Sequence, residues 1–185
     1  SMGYMDAENF RAETLPNGSS IHKNLIGKFK NEVKRQGALP FVRHHNIKYG
    51  GQFPIWVAVE LFTFGMLGSL FDLMRENDQR AVSREYNLSP ESLSRLIASA
   101  VDVRNICAHY NRLYNRVLDD QPLLPNRLRL YESDRLFPLL LAFAHILGRE
   151  RVLNRLITGL SLLEADFPEA DLSLCGFPED WRSIL

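Results

Sequence analysis

A long amphipathic pattern in the middle of the chain constrains the fold more than any other feature. Ser89, Pro90 and Glu91 form a strong helix start, with a serine N-cap, a proline in the first turn and an acid near the positive helix end. Apolar side chains then recur at helical spacing, namely Leu93, Leu96, Ile97, Ala100, Val103, Cys107 and Tyr110. The pattern predicts a long helix that extends into residues 102–116 and can kink near Asp102.

The last part of this helix carries an unusual group of polar side chains. At about 100° per residue, one face of a continued helix presents Asn105, His109, Arg112 and Arg116, with Asp102 at its border. A second row holds Arg104, Asn111 and Asn115. The opposite arc is apolar and holds Val103, Ile106, Cys107, Tyr110, Leu113, Tyr114, Val117 and Leu118. We therefore expect the apolar arc to be buried in a core and the polar face to be open.

These polar residue types suit RNA cleavage without a metal ion. One proton must leave the ribose 2′-OH, another must reach the departing 5′-oxygen, and the charge on the phosphate must be offset. Histidine exchanges protons near neutrality, arginine offers phosphate a planar, permanently charged fork, and asparagine can hold either group in place. The alternative is structural: Arg104 and His109 form a helix-surface pair, and the asparagines cap or bridge the helix.

The order of residues in this segment resembles the signature of a known family. Arg104, four further residues and His109, with Asn105 directly after the arginine, form the Arg-x4-His pattern of the HEPN superfamily. The run Arg-Asn-Ile-Cys-Ala-His-Tyr-Asn-Arg-Leu-Tyr-Asn-Arg at 104–116 closely resembles the signature of the Abi family of bacterial abortive-infection proteins. Two further blocks, at 54–67 and 176–181, are similar to the same family in the same order. The resemblance spans residues 41–181.

The resemblance implies an all-α, HEPN-like helical bundle with a long central signature helix and an irregular C-terminal tail. It also implies a homodimer in which the Arg-x4-His segments of two protomers meet in a composite active site. The implied activity is that of a HEPN-type, metal-independent endoribonuclease of an abortive-infection, antiphage or toxin–antitoxin system. The alternative is a non-catalytic RNA- or protein-binding HEPN module of such a system.

The resemblance assigns roles to residues of the signature. Arg104 and His109 would be catalytic, with Asn105 assisting, and RNA would be the substrate. An antitoxin RNA or protein would be a further partner. We expect RNA binding by Arg112, Arg116, Asn111 and Asn115. Two features depart from the family pattern: Tyr110 stands where relatives often have a second histidine, and the helical segment that usually precedes this region is expected to be missing.

The spacing of the two catalytic candidates bears on the dimer. Arg104 and His109 are five positions apart, which is about 140° on a regular helix. The two side chains therefore do not project side by side. Either Arg104 reaches around the helix, or each site takes one group from each protomer.

Composition sets the remaining limits. The 185 residues include 22 Lys+Arg and 22 Asp+Glu, so a nucleic-acid binder of this composition must concentrate its positive charge locally. The arginines of the signature and its continuation do so, namely Arg104, Arg112, Arg116, Arg127 and Arg129, against Asp119 and Asp120. Two cysteines and scattered histidines argue against a disulfide scaffold and a metal site, and we expect no cofactor. Without a signal peptide or a membrane span, the protein is expected to be cytoplasmic.

The remaining segments predict helices joined by loops. Residues 1–20 are interpreted as an expression scar, Ser1-Met2-Gly3, and a weakly ordered lead-in to a single domain over 21–185. Helices are expected at 21–36, 55–67, 77–86, 136–148 and 149–165, with Gly148 as a junction. No segment alternates as a strand does. Phe177 and Trp181 are expected to pack the irregular tail at 167–185 back onto the bundle.

Two of these segments raise functional questions. Residues 39–51 are expected to be irregular, and their charge and aromatic rings fit either an RNA groove or a solvated connector pinned by Phe41 and Tyr49. Residues 55–67 are apolar on nearly every side, which predicts a central buried helix. Glu60 would then be buried and would need a partner, such as an arginine of residues 104–116.

Overall fold

The computed structural model describes residues 2–147 and 150–185. Within these ranges the regular structure is helical and no strand is formed, which confirms the all-α class. The helices are α1 (Ile21–Arg35), α2 (Pro40–Lys48), α3 (Ile55–Ala58), α4 (Phe64–Leu73), α5 (Glu76–Arg84), α6 (Pro90–Ala108), α7 (Leu136–Leu147), α8 (Glu150–Asp166) and α9 (Trp181–Ile184). The junction expected at Gly148 lies outside the described residues, as does Ser1 of the expected scar. None of the described helices is long and apolar enough to span a membrane.

Residue contacts divide the chain into two compact units, where the sequence favoured one helical domain. They are Ser1–Ala81, here the N-terminal unit, and Val82–Leu185, here the C-terminal unit. Each unit has its own cluster of buried apolar side chains. The signature belongs to the C-terminal unit.

Phe29 of α1 is at the centre of the N-terminal core. The helix expected at 21–36 is confirmed, with Leu25 and Phe29 buried where α1 packs against α4. The Phe29 ring lies 5.0 Å from the ring of Phe62 and 6.0 Å from that of Phe53. Such edge-to-face and tilted pairs add to the burial of apolar area as sources of stability.

The segment before α1 belongs to this core, which corrects the expected weakly ordered lead-in. Tyr4 lies in a short 3-10 helix and is buried against Phe29. Its hydroxyl donates a hydrogen bond to the Phe53 carbonyl oxygen at 2.8 Å, and burial raises the pKa of Tyr4 to about 12. The buried His22 donates from Nε2 to the Tyr4 carbonyl oxygen at 2.9 Å. The packing of Tyr4, together with these hydrogen bonds, therefore holds the segment before α1 against the core.

The expectation of an irregular segment at 39–51 is wrong, because most of it forms α2. Leu39 takes the N-cap position, and Pro40 occupies the first turn, where its missing N–H costs nothing. Only Val42 of this helix is fully buried. Because so few of its side chains are buried, α2 shows no apolar stripe in the sequence, and apolar periodicity does not predict this helix.

The expectation of one central helix at 55–67 is also wrong. The helix stops after Ala58, and Thr63 starts α4 as an N-cap by accepting a hydrogen bond from the Met66 N–H at 3.3 Å. Glu60 falls in the turn between the two helices and is exposed. It therefore needs no buried partner.

The C-terminal unit is built on α6 and α7. The predicted α6 start is confirmed, because the Ser89 hydroxyl accepts a hydrogen bond from the Ser92 N–H at 3.0 Å. α6 packs against α7, whose Phe137 is fully buried. The tail packs back as expected: the Phe177 ring lies 4.9 Å from that of Phe137 and 5.5 Å from that of Trp181.

The tail turns into this core at Gly176. Its φ of +83° favours glycine, and a Cβ at this position would lie 2.8 Å from the Cβ of Arg135. Both the backbone conformation and the available space therefore require glycine. The turn places Cys175 and Phe177 in the buried cluster.

Candidate active site

The signature helix ends at His109, within the signature itself. His109 is the C-cap of α6, and the next residue, Tyr110, has a left-handed φ of 54°. The Tyr110 N–H donates to the Cys107 carbonyl at 3.1 Å, and the Asn111 N–H donates to the Ile106 carbonyl at 3.0 Å. These two bonds define a Schellman motif, which satisfies carbonyls that would otherwise be left open at the helix end.

This ending corrects the predicted helical face. α6 runs without interruption through Asp102, but the residues after His109 are not helical. Asn105 and His109 do share a face, and the His109 N–H donates to the Asn105 carbonyl at 3.1 Å. The residues expected to extend that face lie instead in the following loop: Asn111, Arg112, Asn115 and Arg116.

The predicted apolar arc is correct only where the helix is covered. Ile106 is buried and Val103 is half-buried, as expected. Cys107 and Tyr110 are exposed, contrary to the expectation. Cys107 lies in the last turn and is left uncovered, and Tyr110 leaves the helix path because of its left-handed backbone.

The three catalytic candidates are all exposed at this helix end. Arg104 Nη1 donates to the Asn105 Oδ1 at 3.0 Å, so the carboxamide holds one edge of the guanidinium in place. The His109 imidazole makes no hydrogen bond to any residue that the structure describes. The site therefore presents a restrained cation and an imidazole without an orienting partner.

The loop after His109 is fastened to the C-terminal tail. The Tyr114 hydroxyl accepts from the Asp171 N–H at 3.0 Å and donates to the Asp171 carbonyl at 3.3 Å. Hydrogen bonds from Ser173 also hold the pKa of the Asp171 carboxyl below its ordinary range. These partners lie 57 residues apart along the chain, so no local pattern could have predicted the contact.

Asn115 has a structural position in this loop. Its backbone N–H donates to the buried Cys175 Sγ at 3.4 Å, and its Oδ1 accepts from Arg135 Nη1 at 3.0 Å. It also has a left-handed φ of 52°, which asparagine tolerates better than most residues. Asn115, which was expected to bind RNA, therefore has its carboxamide oxygen already bonded within the chain.

The other expected RNA-binding residues are open. Asn111, Arg112 and Arg116 are exposed, and the two guanidiniums form no hydrogen bond or ion pair within the described ranges. Arg104 lies on the last turns of α6, and Arg112 and Arg116 follow the end of the helix in the loop. An anion such as a phosphate would meet positive side chains here.

Chemically, the site offers a proton-exchanging imidazole, arginine forks and one carboxamide. Across residues 2–147 and 150–185, no three His, Cys, Asp or Glu side chains come together as a metal ion would require. The fold and the site therefore define an all-α protein with an Arg-x4-His motif at an exposed helix end. A family model described as "Abi-like protein" matches residues 1–115.

That match covers more than half of the chain, and the protein belongs to the Abi-like family. The matched region includes the block at 54–67 and the signature as far as Asn115, but not the tail block at 176–181. It also begins well before residue 41, where we expected the resemblance to start. No curated protein and no solved structure gives a significant match.

Proposed function

We propose that the protein is an endoribonuclease of a bacterial abortive-infection system that cleaves RNA through Arg104 and His109. Membership of the Abi-like family supports a role in abortive infection. The observation that carries the enzymatic part is the end of α6, where the exposed His109 caps the helix beside Arg104 and Asn105. An imidazole that is open to solvent on a cationic surface is accessible to an RNA backbone.

The proposed reaction is attack by the ribose 2′-oxygen on the adjacent phosphorus. The His109 imidazole accepts the 2′-OH proton as the new P–O bond forms. The bond from phosphorus to the 5′-oxygen breaks, and the imidazolium returns the proton to that oxygen. Protons and charge balance, and the products carry a 2′,3′-cyclic phosphate and a 5′-hydroxyl.

Arg104 is proposed to offset the negative charge that builds up on the phosphate. Arginine can do this with two parallel N–H donors, and its charge does not depend on pH in the working range. Asn105 contributes by holding the guanidinium edge through the 3.0 Å bond from Arg104 Nη1 to Asn105 Oδ1. Arg112 and Arg116 would hold flanking phosphates.

Helix geometry supports a composite site in a homodimer. α6 is regular through Ala108, so Arg104 and His109 point about 140° apart. The bond to Asn105 also draws Arg104 toward its neighbour. A second copy that places its His109 near this Arg104 would complete the site and supply the orienting contacts that His109 lacks among the described residues.

The decisive test is RNA cleavage by His109→Ala in the presence of EDTA. Because general acid–base groups contribute about 10²–10⁴-fold to rate, cleavage should fall by at least about a hundredfold. The unfolding midpoint in urea should stay unchanged, because the side chain is exposed. Chemical mapping of wild-type products should find 2′,3′-cyclic phosphate ends. Products with 5′-phosphate ends would point to a different mechanism.

Mixed dimers test the composite geometry. Arg104→Ala and His109→Ala should each be inactive alone. When the two are mixed and exchange subunits, half of the sites in a mixed dimer regain both groups, and partial activity should return. A mixture with proven exchange and no recovery would mean that each chain supplies a whole site.

A specific observation also favours a second candidate, an RNA- or protein-binding module without catalysis. His109 has no orienting partner among the described residues, whereas a catalytic base is usually held by a third group. In this case wild-type protein would bind RNA or a protein partner through the same surface but would leave RNA intact. The EDTA experiment on wild-type protein separates the two functions.

A further inference from the structure

The N-terminal unit carries a second surface that the proposed cleavage chemistry does not use. It combines exposed rings and a cation from α2, the following turn and α3, and we call it the aromatic–basic surface: His44, Lys48, Tyr49 and Trp56. Trp56 is 65% exposed, which is unusual for the largest apolar side chain. A cavity of about 440 Å³ adjoins it, lined by Met2, His44, His45, Tyr49, Gln52, Pro54, Trp56 and Val57.

Two glycines after α2 bring the rings together. Gly50 and Gly51 have positive φ angles of 59° and 75°, which allow the chain to reverse directly after Tyr49. The reversed chain then passes back beside α2, so that Trp56 lines the same cavity as His44 and Tyr49. The grouping is therefore a product of the backbone and not of one helix face.

His45 lines this cavity and is itself held in place by two contacts. Its Nδ1 donates to the Gln52 carbonyl at 2.9 Å, and its ring stacks on the buried Phe53 with centroids 5.2 Å apart. The Tyr49 ring lies 5.1 Å from the His45 ring and 5.5 Å from the His44 ring. The His45 ring is thus held against the core, and Tyr49 packs on it, so these two rings would lose little side-chain freedom when a ligand binds.

The charged side chains of the segment that carries these rings are all positive. Between Glu32 and Glu60 the sequence contains no Asp or Glu, although the whole chain has equal numbers of acids and bases. Arg43 and Lys48 are exposed, and Lys48 Nζ lies 5.5 Å from the centroid of the Tyr49 ring. None of the residues that line the cavity is acidic. A ligand for this surface should therefore be anionic.

We propose that the aromatic–basic surface binds single-stranded RNA, with a base stacked on Trp56 and a neighbouring phosphate held by Lys48. Stacking platforms flanked by cations are how proteins bind single strands without reading their sequence. Duplex RNA keeps its bases stacked inside and offers no free base face. The cavity volume lies within the range of about 300–1,000 Å³ typical of ligand clefts.

This inference rests on the proposed function only for the choice of RNA as ligand. The aromatic–basic surface is remote in sequence from residues 104–116, and the inference concerns RNA binding and not cleavage. The surface would hold a single-stranded stretch of the substrate and so restrict the protein to unpaired RNA. Binding can be measured whether or not the protein cleaves.

Tryptophan fluorescence provides a direct test, because the two tryptophans differ sharply in exposure. Trp56 is 65% exposed, and Trp181 is 2% exposed. Full-length His109→Ala protein, which should leave RNA intact, would be titrated with an oligouridylate of about ten nucleotides. We expect saturable quenching that weakens as salt is raised. Duplex RNA of the same length should quench much less.

Single-residue variants show which side chains produce the quenching and which bind the RNA. Trp56→Phe should lose the quenching but bind with similar affinity, measured by anisotropy of labelled RNA, whereas Trp56→Ala should bind about fivefold or more weakly. Lys48→Ala should lower the salt dependence of binding by about one charge. Lys23→Ala, an exposed lysine in the first turn of α1, and Ile47→Ala, an exposed apolar residue of α2, are matched controls and should leave binding unchanged.

Three results would overturn the proposal: no quenching by single-stranded RNA, equal binding by Trp56→Ala, or equal quenching by polyglutamate. The last would identify a general site for acidic peptides. Failure here is distinguishable from failure of the proposed function. Quenching without cleavage by wild-type protein would leave this surface intact as an RNA site, and cleavage without quenching would remove only this surface.

Discussion

The two ends of α6 are built by opposite rules. At the start, Ser89 caps the helix with its hydroxyl and Pro90 occupies the first turn, as local stability favours. At the other end, Tyr110 takes a left-handed φ of 54°, a position where glycine is usual, and its side chain is 98% exposed. The imidazole of the neighbouring His109 makes no hydrogen bond to any described residue.

The start of α6 follows the rules of local helix stability, whereas its end departs from them. A natural sequence usually agrees with its fold at every level, and local violations concentrate at functional sites. A tyrosine in the left-handed region costs about 1–2 kcal/mol relative to an ordinary conformation, and here no burial offsets that cost. The end of α6 that carries the Arg-x4-His motif is thus also the end with the less favourable local structure.

The largest expected effect on stability distinguishes two neighbouring residues near this end. Ile106→Asp places a charge among buried apolar groups, since Ile106 is only 4% exposed. Unfolding free energy should fall by roughly 3 kcal/mol or more. Cys107→Asp is the matched control, because Cys107 is exposed one residue further on, and its effect should stay within about 0.5 kcal/mol. Urea denaturation measures both, and equal losses would mean that the helix phase is wrong.

The next effect tests the start of α6. Ser89→Ala removes the hydroxyl that accepts from the Ser92 N–H at 3.0 Å, and it should destabilise the protein by about 1 kcal/mol. Ser89→Asp should restore most of the loss, since aspartate is an equally good N-cap. RNA cleavage by the folded variants should not change. A loss of cleavage in a stable Ser89→Ala protein would contradict the proposal that only the C-terminal end of α6 takes part in cleavage.

A smaller effect of opposite sign is expected at the other end. Tyr110→Gly relieves the left-handed conformation and removes no buried side chain, so it should stabilise the protein by up to about 1 kcal/mol. Tyr110→Val should destabilise it, because β-branched residues fit this region worst. Thermal unfolding measures both. A less stable glycine variant would contradict the Schellman ending, and a more stable variant that cleaves poorly would place the tyrosine ring in the RNA site.

The helices that follow strong local rules could be predicted from the sequence. α1 has an apolar stripe, and α6 has a serine N-cap and a proline in its first turn. By contrast, α2 has one fully buried residue, and its main sequence sign was Pro40 at the first turn. The turn after Ala58 falls in a run that is apolar on every side, where periodicity gives no boundary. Only Thr63 as an N-cap marks the restart.

The candidate site could be proposed from the sequence, but its geometry could not be predicted. The residues at 104–109 are placed as expected on the last turns of α6. Beyond His109 the predicted continuation of the helix is wrong, because nothing in the residue type of Tyr110 predicts a left-handed backbone. The contacts that shape the loop come from distant residues, as when Tyr114 binds the backbone of Asp171 and Arg135 binds Asn115. Periodicity cannot predict such pairs.

The smallest effect compares the two histidines at helix ends in the C-terminal unit. His145, in the last turn of α7, accepts a hydrogen bond at Nδ1 from Arg127 Nη2 at 3.2 Å. Partial burial, and then the Arg127 charge, lower the pKa of His145 in the folded protein. The folded state therefore binds protons less readily than the unfolded chain, whose histidine pKa is about 6.5. Stability should be complete above that pH and should decrease as pH falls through it.

His145→Gln should reduce this decrease slightly, as measured by urea midpoints between about pH 7.5 and about pH 5.5. The same variant should cleave RNA at the wild-type rate, because the imidazole of His145 is already bonded within its own unit. His109→Ala should instead show a large loss of cleavage. If removing His145 abolished cleavage in a folded protein and removing His109 did not, the catalytic histidine would be the one at the end of α7.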